Sequence, residues 1–294
     1  MRLIKMKINF NITKELFYLF KIHHWIKNLI IFLPILVGHS FLIIDLKKYF
    51  TYFLILSILS SIIYLFNNLY DNEEDIKNKK LEYSLNLNKK KFYYSLGSVI
   101  FLSIISASYI LNKSIFLICL SYFILATLYN FYLKKIKYID VLILSLFHVL
   151  RLIYGSIAFN VELSLYFVLF CSAIFLMIGS NKRLIEIDKF YSNRPYKIND
   201  KKILRSLQIL CSIFSVLVFL LYSIDPYKNQ FFIYNELIYL NLLLIILINI
   251  NFLFFSQNNR NQDIIIFIYK NKINFLLVLI FFIIFLGNSV SFYY

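Results

Sequence analysis

The chain has 294 residues, 61% of them hydrophobic, and carries a formal net charge of +16 at pH 7. A soluble domain with that apolar share could not cover its own surface, so composition excludes an ordinary globular protein and indicates a polytopic membrane protein. The period-two alternation of a transmembrane β-barrel is missing, which leaves a helical bundle.

Residues 13–26 mix apolar and basic side chains at helical spacing, predicting an interfacial helix with Trp25 at the headgroup level. No cleavable signal peptide is expected, because the first long apolar run begins near Asn28 with Lys27 before it. Nine apolar runs near bilayer length follow, at about 29–46, 49–68, 92–111, 114–133, 139–159, 163–180, 204–224, 236–255 and 273–293. At the end of the second lies Asn67-Asn68-Leu69-Tyr70-Asp71-Asn72-Glu73-Glu74-Asp75. Continued as a helix, this segment places Asn68, Asp71 and Asp75 on one face, with Asn67 at its edge. Carboxylates grouped where a helix leaves lipid suit Mg²⁺, a hard cation that completes its shell with phosphate oxygens and water. Chemistry on a diphosphate at a membrane surface is therefore expected.

The fourth and fifth runs are joined by Tyr129-Asn130-Phe131-Tyr132-Leu133-Lys134-Lys135-Ile136-Lys137-Tyr138-Ile139-Asp140. The lysines read as membrane-boundary charges. Asp140 can cap or complement the next helix, but beside Tyr129 and Lys134 it reads better as a site residue. Arg151 falls mid-way along the fifth run, where a cation must be paired or hydrated. It shares a helical face with Asp140, and Tyr154 and Gly155 widen that stripe. A buried guanidinium facing a cavity binds phosphate bidentately; an interhelical salt bridge is the structural alternative. The sixth run leads into Asn181-Lys182-Arg183-Leu184-Ile185-Glu186, whose spacings allow an intrahelical ion pair and whose cations also suit a diphosphate. His148 reads as a hydrogen-bonded interior residue, and Cys119, Cys171 and Cys211 as small buried side chains without metal-ligand spacing.

With nine crossings, the loops at 1–28, 69–91, 134–138, 181–205 and 256–272 share one side and hold 26 of the 31 Lys and Arg. This asymmetry predicts a cytoplasmic N-terminus and an external C-terminus in the inner (plasma) membrane. It also accounts for the net charge without nucleic acid as a partner. No Gly/Ser linker separates two cores, so residues 1–294 read as a single membrane domain.

These segments together resemble the UbiA superfamily of membrane prenyltransferases, and within it the polyprenyl-phosphate phosphoribosyltransferase branch. Lys21-Ile22-His23-His24-Trp25-Ile26-Lys27-Asn28-Leu29 with Pro34 is similar to that branch's R-P-x-Q-W-x-K-N-L…P signature. Asn67-Asn68-x-x-Asp71-x-x-x-Asp75 is similar to its N-D-x-x-D-x-x-x-D metal motif, with Asn68 where the family has Asp. Tyr129-Asn130-x-x-Leu133-Lys134, Asp140-Val141 and Leu150-Arg151 resemble Y-S-x-x-L-K…D-V…L-R, and Lys182-Arg183-x-x-Glu186 resembles K-R-x-x-E. The branch's basic K-R-x-R-P stretch has no clear counterpart, and Asn271 stands where an acidic residue is expected.

The resemblance implies an all-α bundle of nine transmembrane helices around a central cavity open to the cytoplasmic side. It implies Mg²⁺-dependent transfer of a 5-phosphoribosyl group from phosphoribosyl diphosphate to a polyprenyl phosphate drawn from the lipid bilayer. Asp71, Asp75 and Asp140 would be catalytic, with Asn68, Asp71 and Asp75 on the metal. Lys27, Asn67, Tyr129, Lys134, Arg151, Lys182, Arg183 and Glu186 would bind substrate. The alternatives are transfer of a polyprenyl chain from its diphosphate to an aromatic acceptor, the superfamily's commoner reaction, and a non-catalytic lipid-binding or transport protein.

Overall fold

Apolar helices account for most of residues 19–38, 45–70, 87–188, 195–225, 232–258 and 272–288, which are the residues that the computed structural model describes. A 3-10 helix, Ile22–Phe32, leads into the short α1 (Leu33–Val37). Then come α2 (Leu46–Tyr70), α3 (Leu87–Leu111), α4 (Lys113–Phe131), a 3-10 turn at Leu133–Lys135, and α5 (Ile139–Phe159). The chain continues through α6 (Leu165–Asp188), α7 (Asp200–Ile224), α8 (Asn235–Asn258) and α9 (Lys272–Gly287). Among the described residues, α2 to α8 are long and apolar enough to cross a membrane, seven candidate spans where nine are predicted. The difference lies at the ends. The first expected run is described only to Gly38 and has Pro34 near the start of α1. With 16 residues, α9 rises about 24 Å, short of a hydrocarbon core roughly 30 Å thick.

The residues group into two units, one of residues 1–29 with 50–127 and another of 30–49 with 128–294. In the first, Leu65 and Leu69 of α2 pack with Leu19 and with Tyr93 of α3. Gly97 lets α3 approach closely, since a Cβ there would lie 2.8 Å from the Phe66 ring. Trp25 Nε1 donates to Ser61 Oγ of α2 at 2.7 Å. Asn28 donates to Ser57 and Ser60 on the same helix. The serines of α3 at 95, 98, 103 and 106 bond carbonyls of their own helix. Such local pairing lets a hydroxyl face lipid, where no water can satisfy it.

In the second unit, Gly155 of α5 carries the close approach: a Cβ there would lie 2.0 Å from the carbonyl oxygen of Ile31. The left-handed Asn160 (φ 55°, ψ 41°), a conformation asparagine tolerates, ends α5. Phe219, Tyr222, Phe232, Ile238, Ile245 and Phe285 form the core shared by α7, α8 and α9. Asn288 fastens the end of α9 by exchanging hydrogen bonds with the backbone of Tyr234 at 2.7 and 2.8 Å. The three cysteines are buried, as expected.

Candidate functional site

Three helix ends of the second unit converge on one buried polar network. Tyr129 arrives from the last turn of α4, Asp140 from the first turn of α5, and Arg183 with Glu186 from the last turns of α6. The Tyr129 hydroxyl donates to Asp140 Oδ1 at 2.8 Å. Arg183 Nη2 donates to the same oxygen at 2.8 Å and to the Tyr129 hydroxyl at 3.0 Å. Arg183 Nε lies 2.5 Å from Asp140 Oδ2, so guanidinium and carboxylate meet along two edges. The third guanidinium nitrogen, Nη1, pairs with Glu186. The Asp140 and Arg183 side chains are 0% exposed, and Glu186 is 18% exposed. Two full charges so deep persist because each neutralises the other and the remaining donors are bonded. Glu186 is the member of the network with a face open to its surroundings. Asp140 does not cap α5 through its side chain.

A second cluster adjoins this one and was not read from the sequence. Tyr138, the residue before α5, has φ 65° and ψ −40°, a rare backbone for tyrosine. Its amide donates to the Tyr196 hydroxyl at 2.9 Å, and its own hydroxyl donates to Asp200 Oδ1 at 3.2 Å. Lys137 Nζ reaches both Asp200 oxygens, at 3.1 and 2.8 Å, and the Lys197 amide donates to Oδ2 at 2.6 Å. Burial, together with the facing Asp140 carboxylate, pushes the Tyr196 hydroxyl up to about 12. The two residues that precede α5 are thus pinned to the start of α7. The one local sign in the sequence is Asp200 at a helix start; its partners lie 62 and 63 residues away, beyond any periodicity.

Arg151 is buried, with 5% exposed. Its Nη1 donates to the Phe147 carbonyl at 3.2 Å and meets His148 Nδ1 at 3.3 Å. His148, half-buried, stacks on Phe175, with centroids 4.8 Å apart. Lys134, in the 3-10 turn, and Lys182, on α6, are half-buried. The expected i, i+3 pair of Arg183 and Glu186 is present.

In the first unit, Lys27 is half-buried on the 3-10 helix and Asn67 half-buried in the last turn of α2. Asn68 is buried, its Nδ2 donating to the Leu19 carbonyl at 3.0 Å. That bond turns the amide oxygen of Asn68 the other way, the atom a hard cation would use. Asp71 and Asp75 lie outside the described residues. Among the described residues no three His, Cys, Asp or Glu gather as a metal site. The oxygen donors of the motif fit Mg²⁺ in chemical kind.

Residues 28–188 match the UbiA prenyltransferase family. The chain is 26% identical over 189 residues to y4nM, an uncharacterised protein of Sinorhizobium fredii, covering 62% of this chain and 36% of that protein. It is 24% identical over 199 residues to the nodulation protein NoeC of Azorhizobium caulinodans, covering 62% of each. The chain thus spans less than two thirds of the length of these relatives. Among solved structures, one reported for digeranylgeranylglyceryl phosphate synthase superposes with a TM-score of 0.63 at 16% identity, covering 95% of this chain and 99% of that one. A UbiA homologue from Archaeoglobus fulgidus bound to Cd²⁺ superposes with a TM-score of 0.62 at 17% identity, covering 92% and 99%. Both likenesses are of fold.

Proposed function

The chain belongs to the UbiA prenyltransferase family, and we propose that it transfers a 5-phosphoribosyl group from phosphoribosyl diphosphate to a polyprenyl phosphate at the cytoplasmic membrane face. The observation that carries this reading is the convergence of three motifs, the neighbouring Y-N-x-x-L-K and D-V and the distant K-R-x-x-E, on one buried network of Tyr129, Asp140, Arg183 and Glu186. A nine-crossing topology with the N-terminus inside agrees with the basic loops.

In this reaction an oxygen of the lipid phosphate forms a bond to ribose C1, and the C1–O bond to the leaving diphosphate breaks. Lys27, Lys134 and Lys182 attract and hold the anionic donor. Asp140 and Arg183, enclosed as they are, act by positioning: they orient the Tyr129 hydroxyl and Glu186 toward the ribose. Arg151 supplies a fixed cation for a phosphate. Asn68, Asp71 and Asp75 would hold Mg²⁺, which when bound neutralises charge on the diphosphate.

The test is incubation of membranes containing the protein with labelled phosphoribosyl diphosphate and polyprenyl phosphate. A lipid-linked phosphoribose is expected. Its absence, with prenyl transfer from a polyprenyl diphosphate to an aromatic acid instead, would reverse the assignment.

A further inference from the structure

The outer face of α7 and α8 carries a groove that no part of the transfer reaction uses. At the start of α7 a hollow of about 600 Å³ is lined by Ile198, Asn199, Lys201, Lys202, Arg205, Ser206 and Ile209. Lys202, Arg205, Ser206 and Ile209 follow the i, i+3, i+4, i+7 spacing of a single stripe and are all exposed. Arg205 and Ile209 also line a second hollow of about 220 Å³, whose other walls are Gln208 and, on α8, Ile250, Leu253 and Phe254. The two hollows therefore share a boundary, cationic in the first and apolar in the second.

Below them the same stripes continue without a charge. Ile209, Ile213 and Leu217 stand exposed along α7, and Leu243, Leu247, Ile250 and Phe254 along α8. Arg205 to Leu217 rises about 18 Å, roughly the depth of one leaflet's hydrocarbon. Among the described residues no carboxylate lines either hollow. Asp200, next in sequence to Lys201, is held by Lys137, Tyr138 and the Lys197 amide. A phosphate at the cationic end would thus meet attraction without a competing anion, and a hydrocarbon chain would lie against apolar side chains beneath it.

We propose that the α7–α8 groove binds one anionic phospholipid of the bilayer, its phosphate between Lys202 and Arg205 and an acyl chain along Ile209, Ile250 and Phe254. The charge pattern selects an anionic over a zwitterionic headgroup, and the apolar wall, one leaflet deep, matches an acyl chain. This site stands independently of the transfer reaction and of its substrates.

The experiment is native mass spectrometry of the full chain released from detergent with phosphatidylglycerol or phosphatidylcholine. One phosphatidylglycerol is expected to be retained in preference to phosphatidylcholine. The Lys202→Gln/Arg205→Gln double variant should lose about tenfold of that preference, and Ile209→Trp, which fills the apolar hollow and leaves the charges, should lower retention of both lipids. Equal retention of the two lipids by the wild type, or a preference that survives the double variant with its melting temperature unchanged, would overturn the proposal. Displacement of phosphatidylglycerol by equimolar polyprenyl phosphate would overturn the identity of the occupant.

Discussion

Arg183 donates to three acceptor atoms on three residues and lies against Asp140 Oδ2, all from a position with no solvent exposure, so the consequences of removing its partner are large. Asp140→Asn breaks a fully buried ion pair and leaves Arg183 with the partly exposed Glu186 as its carboxylate partner, and breaking a buried pair costs about 3–5 kcal/mol. Thermal unfolding in detergent should show that loss, and Asp140→Asn combined with Arg183→Gln should recover a large part of it, because neutral amides can replace both ends of the pair. A single variant as stable as wild type would show that the pair is not closed as described. Arg151→Ala tests a different role. Its Nη1 contacts the carbonyl of Phe147 and His148, and the proposed reaction gives its buried charge to a substrate phosphate. Initial rates should fall about tenfold or more, the worth of a charge-assisted hydrogen bond, while Lys135→Ala should leave them nearly unchanged. Equal small effects for both would remove Arg151 from the substrate site. At this scale the sequence was informative where chemistry is local, as for Arg183 with Glu186. It was silent on Tyr138, Tyr196 and Asp200, whose meeting depends on how two connections fold across α5 and α7.

Helix boundaries show the same division between local and distant causes. The fifth run, expected at 139–159, is α5 at Ile139–Phe159, since a polar turn and Asn160 bracket it. The sixth, expected to stop at 180, continues as α6 to Asp188. There Arg183 pairs with both Glu186 and Asp140, so charge extends the helix instead of ending it. The first and last runs are apolar enough to be noticed yet shorter as described helices than a bilayer needs. Close packing of elements was legible only as a glycine among apolar residues. Gly155→Ala would drive a methyl into the Ile31 carbonyl, where a Cβ meets oxygen at 2.0 Å. Overpacking of this kind costs about 1–3 kcal/mol, so a lowered melting temperature is expected, with activity lost in proportion. An unchanged melting temperature would mean that the segment at Ile31 shifts away freely.

For the whole molecule, 61% apolar residues and basic side chains concentrated in one set of loops specified a helical membrane protein, and membership of the UbiA family agrees. The residues that separate one family reaction from another are fewer and lie partly beyond the described structure. Asn68 bears on metal affinity: an amide oxygen attracts Mg²⁺ less than a carboxylate. Asn68→Asp should lower the Mg²⁺ concentration for half-maximal activity, and a titration of wild type and variant in the same membranes measures it. An unchanged midpoint would take position 68 off the metal, in keeping with a purely structural bond to Leu19. The central claim is the identity of the transferred group. Membranes supplied together with phosphoribosyl diphosphate, polyprenyl phosphate, polyprenyl diphosphate and an aromatic acid, followed by mass analysis of the lipid extract, test it most directly. Wild type should form a polyprenyl phosphate enlarged by one phosphoribosyl group, and Asp71→Asn and Asp75→Asn should nearly abolish it. A prenylated aromatic acid as the enzyme-dependent product, with no phosphoribosylated lipid, would contradict it.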